Sequence, residues 1–451
     1  MISKDAFIAT HRFGFGPSAD DVKQAQKNPK TWLYAQMSGF DPAPASMKHL
    51  PTTEHTVKEA LAFMASQRNM KGKSEAKQKA RKKMRQETRK DLMQEISART
   101  LLAAKTSTPF MERLVHFWSN HFTVSSTRKE AIAFIGPYER EIIRPNILGK
   151  FSDMVLAVTQ HPAMLLYLDN IQSIGPNSVA GKKKNKGLNE NLARELLELH
   201  TLGVDGGYAQ KDVQELAKML TGWSVDRKGK TNGFKFQPLM HEPGPKTLLG
   251  KTYKENGVNE VKQAIIDLCA HPSTARFIAT KLAQHFVADT PPKSAIKKLE
   301  TVYKRSGGDL KAVTKALIDL DEAWDNPTAK AKTPNELIIA TLRVFDGETK
   351  LKDKQIAGIL KNLNQLPYSA PSPAGWDDHA EAWISPEALL RRVEWCRLVG
   401  KGKQRDINIE AFLAQTLGDV ASPQTRFSVL RAPSKADALA LLMASPEFQR
   451  R

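Results

Sequence analysis

The sequence predicts an all-α, multi-helix globular fold with one small β-hairpin near residues 234–250. Apolar residues recur at i, i+3 and i+4 through most of the chain, which is the period of a helix with one buried face. Pro334 and Pro386 stand at first-turn positions, and Gly203 stands where a helix would end. Alternation typical of strands occurs only around Pro243-Gly244, so the β content is expected to be minor.

The helical period defines the predicted elements. They cover residues 22–37, 56–64, 92–104, 109–119, 189–202, 211–223, 258–270, 273–286, 292–305, 309–320, 334–345 and 386–399. A hydrophobic fraction of 41% supports a globular core. No internal repeat divides the chain.

Two basic stretches account for much of the net charge of +20. Between Arg68 and Lys90 there are eleven Lys and Arg residues against two Glu, a local net charge of +9. The segment 67–88 lacks an apolar stripe, so we expect an inserted, exposed helical segment. A second basic loop is expected at 174–188. A solvated surface and a polyanion-binding arm are both compatible with this pattern. The arm's binding residues would be Arg81, Lys82, Lys83 and Arg85.

The cysteine content and the N-terminus restrict the class of protein. Cys269 and Cys396 cannot build a disulfide framework or a multi-thiolate metal site, so any metal would need nitrogen and oxygen ligands. The N-terminus shows no basic region followed by an apolar one, which predicts a cytoplasmic protein unless it is exported with a partner. No run approaches the roughly 18 to 20 apolar residues that span a bilayer.

The first polar constellation lies in the predicted helix 189–202. Glu190, Arg194 and Glu198 share one face at i, i+4 and i+8, as in a solvent-side ion-pair ladder. On a straight helix Glu195 and His200 fall on the two borders of the apolar stripe. Glu195 could therefore be half of a structural Glu–Arg bridge, or a metal ligand or general base.

The second constellation lies in the predicted helix 109–119 and just beyond it. Glu112, His116 and Asn120 share one face, whereas His121 is about 140° from His116. The two histidines could be amphipathic core residues, or ligands if the helix ends at Asn120. The spacing is not the His-Glu-x-x-His motif of zinc proteases.

The third constellation is His241 beside the Pro243-Gly244 turn. Together the three segments predict a histidine and carboxylate site for a divalent metal, zinc, manganese or iron. The candidate metal ligands are His116, His121, Glu195, His200 and His241. The candidate catalytic residues are Glu195, Glu190 and Asp212, and the candidate structural or substrate-positioning residues are Arg194, Asn191, Asn120, Trp118 and Trp223.

These segments resemble the large bacterial domain-of-unknown-function family numbered 1800. The matching stretches are Arg12–Pro17, Glu112–Phe122, Asn189–Gly203, Tyr208–Val213, Leu220–Trp223, His241–Gly250, His271–Phe277, Gly375-Trp376, Trp383 and Ala444–Phe448. The resemblance covers nearly the whole chain and so implies one continuous family unit over 1–451. It also implies a partner, since members are often encoded beside exported proteins of the sulfatase and alkaline-phosphatase type.

Four functions stay open at this point. The first is a metal-dependent enzyme, with hydrolysis preferred because no redox partner is indicated. A metal-dependent oxygenase or oxidase is its close alternative. The third is a non-catalytic helical binding or assembly factor for a partner protein. The fourth is a nucleic-acid or polyanion binder acting through the basic segment.

Overall fold

The structure, a computed structural model, describes every residue except 70–73, 185–186, 227–232 and 406. It confirms the all-α prediction, because strands occur in the described residues only as two small antiparallel pairs. No helix in this part of the chain is both long and apolar enough to cross a membrane.

Helices follow one another along the chain with short connections. The α-helices are Lys4–Ile8, Ala19–Ala25, Pro29–Gly39, Thr53–Asn69, Ser74–Lys105, Pro109–His121, Ile135–Tyr138, Arg144–Asn146, Phe151–Gln160, Pro162–Tyr167, Val179–Lys184, Asn191–Glu195, Gln210–Leu220, Val258–Ala270, Pro272–Phe286, Lys293–Ser306, Leu310–Asp319, Pro334–Arg343, Asp353–Asn362, Pro386–Lys403, Ile409–Thr416, Pro423–Leu430, Lys435–Ala444 and Pro446–Gln449. The π-helical segments are Ala9–Phe13, Glu139–Ile143 and Leu196–Thr201. The 3-10 turns are Ala45–Met47, Ile132–Phe134, Asn170–Gln172, Pro238–Met240, Asp321–Ala323, Ala380–Ala382 and Gly418–Val420.

The strands form two hairpins rather than one hairpin over 234–250. Strand β1 (Trp223–Val225) pairs with β2 (Phe234–Phe236), and β3 (Lys246–Leu248) pairs with β4 (Lys251–Tyr253). The second hairpin turns through Leu249-Gly250, both with positive φ, as a tight two-residue turn requires. Strand β4 begins just beyond the predicted range, and β2 pairs with the preceding strand β1 instead of with β3. The predicted single hairpin therefore combines parts of two separate hairpins.

Two predicted helices are interrupted. Residues 22–37 divide because Asn28 caps a new helix by accepting from the backbone N–H of Thr31 at 2.9 Å, and Pro29 occupies its first turn. The segment 189–202 changes to a π-helix at Leu196. A π-helical turn contains more residues than an α-helical turn, so each residue rotates by a smaller angle. The side-chain directions predicted for a regular α-helix therefore do not apply beyond Glu195.

The basic segment 67–88 spans the end of helix Thr53–Asn69 and the first half of Ser74–Lys105. The side chains of Arg81, Lys82, Lys83 and Arg85 are exposed, and residues 70–73 of the predicted segment lie outside the described residues. Within 174–188, the short helix Val179–Lys184 stands where a loop is predicted. Residues 185–186 of that prediction lie outside the described residues.

One apolar core links the two ends of the chain. Phe7 and Phe448 belong to the same buried cluster, and the ring of His11 stacks on Phe7 at 4.0 Å between centroids and meets Phe448 edge-on at 6.1 Å. The C-terminal segment therefore packs on the N-terminal helix and closes the fold around the central helices.

Buried ion pairs fix the helices that surround this core. Both oxygens of Glu112 accept from Arg144, at 2.7 and 2.9 Å, and both residues are almost completely buried. Arg99 donates through Nε to both oxygens of Glu139, at 3.0 and 2.9 Å. Such pairs cost desolvation on burial, but removing one partner leaves an uncompensated charge inside the protein.

We therefore predict that Arg144→Ala lowers the free energy of unfolding by about 3–5 kcal/mol, because Glu112 would stay buried without a partner. Urea denaturation followed by circular dichroism measures the change. The control is Arg128→Ala, whose ion pair with Asp169 involves an arginine side chain that is 48% exposed. Its expected cost is about 0–1 kcal/mol. Equal costs for the two variants would contradict the prediction.

Candidate functional site

The best-formed cavity lies where the helices Pro109–His121 and Pro272–Phe286 meet the start of Pro334–Arg343 and the loop 363–378. Its volume is about 230 Å³. Aromatic side chains from three separate segments, Phe15, Phe117 and Trp376, form part of its wall. The cavity is large enough to hold a small ligand group or several water molecules.

His116 lines this cavity and has an imidazole ring without hydrogen bonds to the protein. Both of its ring nitrogens are buried, and neither has a hydrogen-bond partner in the protein. Phe15 lies against the imidazole at 4.9 Å between ring centroids. Burial, then the positive charges of Arg99, Arg113 and Arg144, lower the pKa of His116 well below 6.5. The imidazole is therefore neutral near pH 7, with one nitrogen able to donate and the other able to accept.

Arg113 also lines the cavity, three residues and nearly one helical turn before His116. Its Nε donates to the carbonyl of Gly14 at 2.7 Å, and Nη1 bonds to Glu336. The guanidinium stacks over Phe15 at 4.5 Å. Nη2 is buried without a protein partner. Arg113 therefore keeps one free donor on a residue that lines the cavity.

Glu336 links Arg113 to the C-terminal segment. Its Oε2 accepts from Arg451 Nε at 3.0 Å, and also from the backbone N–H of Thr333 at 3.0 Å. Although burial opposes ionisation, Arg113 and Arg451 hold the pKa of Glu336 well below its usual range. One carboxylate is thus shared between two buried guanidinium groups.

His285 and Asp378 form a second hydrogen-bonded pair at the cavity. The distance from His285 Nδ1 to Asp378 Oδ2 is 3.0 Å, and Nε2 lies 3.4 Å from Arg113 Nη1. Burial outweighs the attraction of Asp378 and lowers the pKa of His285. A neutral imidazole that donates from Nδ1 and accepts at Nε2 satisfies both contacts. His285 is therefore occupied by protein partners, unlike His116.

Asn120 holds the loop that carries Trp376. Its Nδ2 donates to the carbonyl of Trp376 at 2.9 Å, and its Oδ1 accepts from the Trp376 backbone N–H at 2.8 Å. Gly375 has φ of +84°, and a Cβ there would approach the Asn120 carbonyl oxygen to 2.6 Å. Only glycine fits this approach. The indole Nε1 of Trp376 is buried without a protein partner.

The two histidines of the Pro109–His121 helix both line the cavity, although they lie on different sides of that helix. The helix continues to His121 instead of ending at Asn120. His121 Nε2 lies 3.1 Å from the carbonyl oxygen of His200, whose own Nδ1 is buried without a partner. Burial lowers the pKa of His200 to about 3. His200 itself does not contribute to the described cavity wall.

The carboxylates of the 189–212 region serve other contacts. Glu190 accepts from Arg194 Nη2 at 3.1 Å and from Gln210 Nε2 at 2.7 Å, as the predicted polar ladder requires. Asp212 accepts from the backbone N–H groups of Ala209 and Leu249, at 2.9 and 2.7 Å. Asp212 is therefore a helix cap and a hairpin anchor.

Glu195 lies outside the described wall of the His116 cavity. It is half-buried, and burial, followed by the charge of Glu198, raises its pKa. The pKa of Tyr167 is raised to about 12 by burial and then by the charge of Glu195. Asn191 is exposed, and its backbone N–H donates to Asn189 Oδ1 at 3.0 Å.

His241 belongs to a separate buried network. Its Nε2 lies 3.0 Å from Glu260 Oε1 and 3.2 Å from Lys246 Nζ, while Nδ1 lies 2.9 Å from the Thr221 carbonyl oxygen. Both ring nitrogens are thus occupied at the hairpin.

The two candidate tryptophans are packing residues. Trp118 packs edge-on against His121 at 5.4 Å between ring centroids. Trp223 meets Phe234 edge-on at 5.0 Å and is completely buried.

The proposed metal ligands do not come together as a coordination sphere. No group of three or more His, Cys, Asp or Glu side chains among the described residues is arranged to hold a metal ion. The nearest approximation, His116 with His121 on one cavity wall, lacks Glu195 and His241, which contact other partners. A three-ligand protein site of the kind typical for zinc is therefore not built here.

Sequence reasoning missed five residues that shape the cavity. They are Arg113, His285, Glu336, Trp376 and Asp378. The Thr-Pro-Asn-Glu stretch that begins at Thr333 is a readable capping-box signal, and the structure shows this box at Thr333 and Glu336. It locates a helix start, but it does not indicate that Glu336 also binds two arginines.

A comparison of the sequence with protein-family models matches residues 8–450 to DUF1800, described as a protein of unknown function. The chain therefore belongs to this family over nearly its full length, in agreement with the resemblance in the sequence. No curated protein and no solved structure shows a significant match.

We predict that Gly375→Ala destabilises the loop at the cavity by about 1–3 kcal/mol, because a side chain there requires both an unfavourable φ and displacement of Asn120. Hydrogen exchange across 363–378 and the unfolding midpoint measure the effect. Gly402→Ala is the matched control. Its Cβ would enter open space on the helix Pro386–Lys403, and its expected effect is neutral or stabilising by up to about 1 kcal/mol.

Proposed function

We propose that this DUF1800 member is a hydrolytic enzyme that binds its substrate in the His116 cavity. The observation that carries the proposal is the buried imidazole of His116, whose two nitrogens are both without a protein partner. Leaving buried polar atoms unpaired costs free energy. Such groups concentrate in functional sites, where a substrate or water completes their hydrogen bonding.

The cavity groups match the requirements of water attack on an acyl or phosphoryl centre. His116 is neutral near pH 7, because burial and the nearby guanidinium groups hold its pKa low, so it can accept a proton. Arg113 has an unpaired Nη2 donor that can stabilise negative charge developing on a substrate oxygen. His285, itself bonded to Asp378, contacts Nη1 of the same guanidinium.

The proposed hydrolysis consumes only water and the substrate. One water proton passes to the free nitrogen of His116 as the water oxygen bonds to the substrate centre. Arg113 stabilises the resulting oxyanion. The bond to the leaving group then breaks, and His116 returns the proton to it.

A divalent metal, zinc, manganese or iron, stays a prediction from the sequence. The residues described above do not form a three-ligand site, so no step of the proposed reaction passes through an ion. Elemental analysis of untagged protein tests the metal hypothesis directly. A stoichiometric metal that is lost in His116→Gln would favour the metal-dependent form of the hydrolase.

We predict that His116→Gln lowers kcat/KM by about 10²–10⁴-fold, the usual contribution of a general base. The assay uses p-nitrophenyl esters and p-nitrophenyl phosphate with the full-length protein. The control is His55→Gln, because His55 is 56% exposed and pairs only with Glu59. Unchanged turnover in His116→Gln, or no wild-type turnover of any probe, would contradict the proposal.

The pH dependence provides a second test of the same residue. A base works in its deprotonated form, and the pKa of His116 in the free protein lies well below 6.5, so kcat/KM, which reports the free enzyme, should be flat from about pH 6 to 8. It should fall only in more acidic solution. A rate that rises steeply between about pH 6 and 8 would point to a different base.

The basic helix favours polyanion binding as a second, independent function. Along the first half of Ser74–Lys105 the Lys and Arg side chains other than Lys77 are exposed, and Lys83 with Glu87 forms only a loose ion pair of 3.8 Å. This unneutralised charge is the kind of surface that attracts phosphate or sulfate groups. The sulfatase- or phosphatase-like partner, the assembly-factor role and the oxygenase alternative stay predictions from the sequence.

We predict that replacing the four basic residues of this helix by Gln moves elution from heparin to clearly lower salt, since each lost contact reduces the salt dependence by about one counterion. The variant changes Arg81, Lys82, Lys83 and Arg85. The control removes the same charge from exposed positions elsewhere, namely Lys297, Arg305, Lys311 and Lys315. Equal shifts in both variants would show that only net charge matters.

A further inference from the structure

Four residues that line the His116 cavity carry buried polar atoms that the protein leaves unpaired. They are both nitrogens of His116, Nη2 of Arg113, Nε1 of Trp376 and Oδ1 of Asn335. These atoms belong to four residues from three different segments of the chain, yet all four residues line one cavity. These unpaired donors and acceptors indicate which hydrogen-bonding groups a ligand in this cavity would need.

Donors outnumber acceptors in this set. The guanidinium Nη2 of Arg113 and the indole Nε1 of Trp376 can only donate hydrogen bonds, and a neutral His116 adds one donor and one acceptor. The matching ligand group therefore carries acceptor oxygens. A group with two or three oxygens, such as a carboxylate or a phosphate, satisfies several of these donors at once.

Charges of both signs stand on the cavity wall, with Arg99, Arg113 and Lys281 against the carboxylates of Glu198, Glu336, Asp377 and Asp378. Glu336, the carboxylate that pairs with Arg113, is shared with Arg451, and Arg113 keeps one donor free. The guanidinium groups of Arg99, Arg113 and Arg144 affect His116 more strongly than Glu336 does. The unpaired Nη2 of Arg113 is therefore the positive group on this wall with which an anion could pair.

The shape of the wall adds a second requirement. The rings of Phe15, Phe117 and Trp376 line the same cavity as the free donors. The Arg113 guanidinium already stacks on Phe15, and the loop bearing Trp376 is held by Asn120. Aromatic walls of this kind accommodate a flat apolar group beside the polar contacts.

We propose that the substrate of this site carries a carboxylate or phosphate group next to a flat apolar group, with Arg113 and Trp376 as the residues that select the anion. The inference rests on the proposed function, because it names the substrate class of the same cavity. It also explains how a base of low pKa becomes effective. A bound anion stabilises the imidazolium, so the ligand itself makes His116 a stronger base.

The test compares small anionic and neutral ligands of the same shape. Benzoate and phenyl phosphate are the anionic probes, and benzamide is the neutral one; binding to the full-length protein is measured by calorimetry and ligand-observed NMR. We expect at least one anion to bind about 10-fold or more tightly than benzamide. Whichever anion binds more tightly identifies the carboxylate or the phosphate as the source of the charge. Equal binding of all three probes, or binding of none, overturns the inference.

Trp376→Phe tests the assigned donor without breaking a protein hydrogen bond, because the indole Nε1 has no protein partner. We expect the affinity for the preferred anion to fall about 5- to 10-fold while the affinity for benzamide stays the same. Trp32→Phe, which changes a half-buried tryptophan outside the cavity wall, is the matched control. Loss of affinity for both ligands alike, or for neither, overturns the role of Trp376.

The pKa of His116 provides a readout that separates this inference from the proposed function. An NMR titration of the histidine ring protons should show the pKa of His116 rising when the preferred anion is bound and staying unchanged with benzamide. If turnover depends on His116 but the pKa does not respond to the anion, the substrate class is wrong and the hydrolase proposal stands. If the anion binds and raises the pKa but His116→Gln retains full turnover, the hydrolase mechanism is wrong instead.

Discussion

The sharing of Glu336 between Arg113 and Arg451 is the interaction on which the rest of this structure depends. It joins the helix Pro109–His121, the start of the helix Pro334–Arg343 and the C-terminal segment. Arg113 also binds the carbonyl of Gly14, and Arg451 binds the carbonyl of His285 at 2.7 Å. Five regions far apart in the chain are therefore linked through this carboxylate and its two arginines.

Burying such a network costs desolvation free energy. Burying several charges is tolerated only when nearly every donor and acceptor is paired. In the described part of the cluster most of them are. The exceptions include Nη2 of Arg113, a residue of the cavity wall, and Nη2 of Arg451, which lies outside the described wall. Arg113 lowers the pKa of Glu336 and also contributes, after burial and Arg99, to the low pKa of His116. Arg113 therefore links the buried ion-pair network to the cavity.

The histidines illustrate how differently one residue type is used in a single fold. His241 pairs with Glu260 and Lys246 beneath a hairpin, and His285 is fixed between Asp378 and Arg113. His121 contacts the His200 carbonyl oxygen. His116 alone among these four has both nitrogens free of protein partners in the described structure. Among the described residues, no three His, Cys, Asp or Glu side chains are arranged to hold a metal ion, and the metal stays a prediction from the sequence.

Local physics in the sequence determined much of the fold. The apolar period and the flanking signals predicted the helix Val258–Ala270 at its observed bounds, and Pro386 correctly marked a helix start. The polar ladder of Glu190 and Arg194 also follows from helical spacing alone. Where a wider π-turn begins, at Leu196, periodicity fails because the angle per residue changes without a clear sequence signal.

Only the tertiary structure decided which polar residues form a site. The sequence identified His116 and Asn120 as candidates, but it placed them beside Glu195 and His241, which lie elsewhere. The partners that matter are remote in the chain: Arg113 and Glu336 are 223 positions apart, and Asn120 and Trp376 are 256 apart. Helical spacing determines only the direction of a side chain on its own helix. Its partner depends on how distant helices pack, and that is set by the whole core at once.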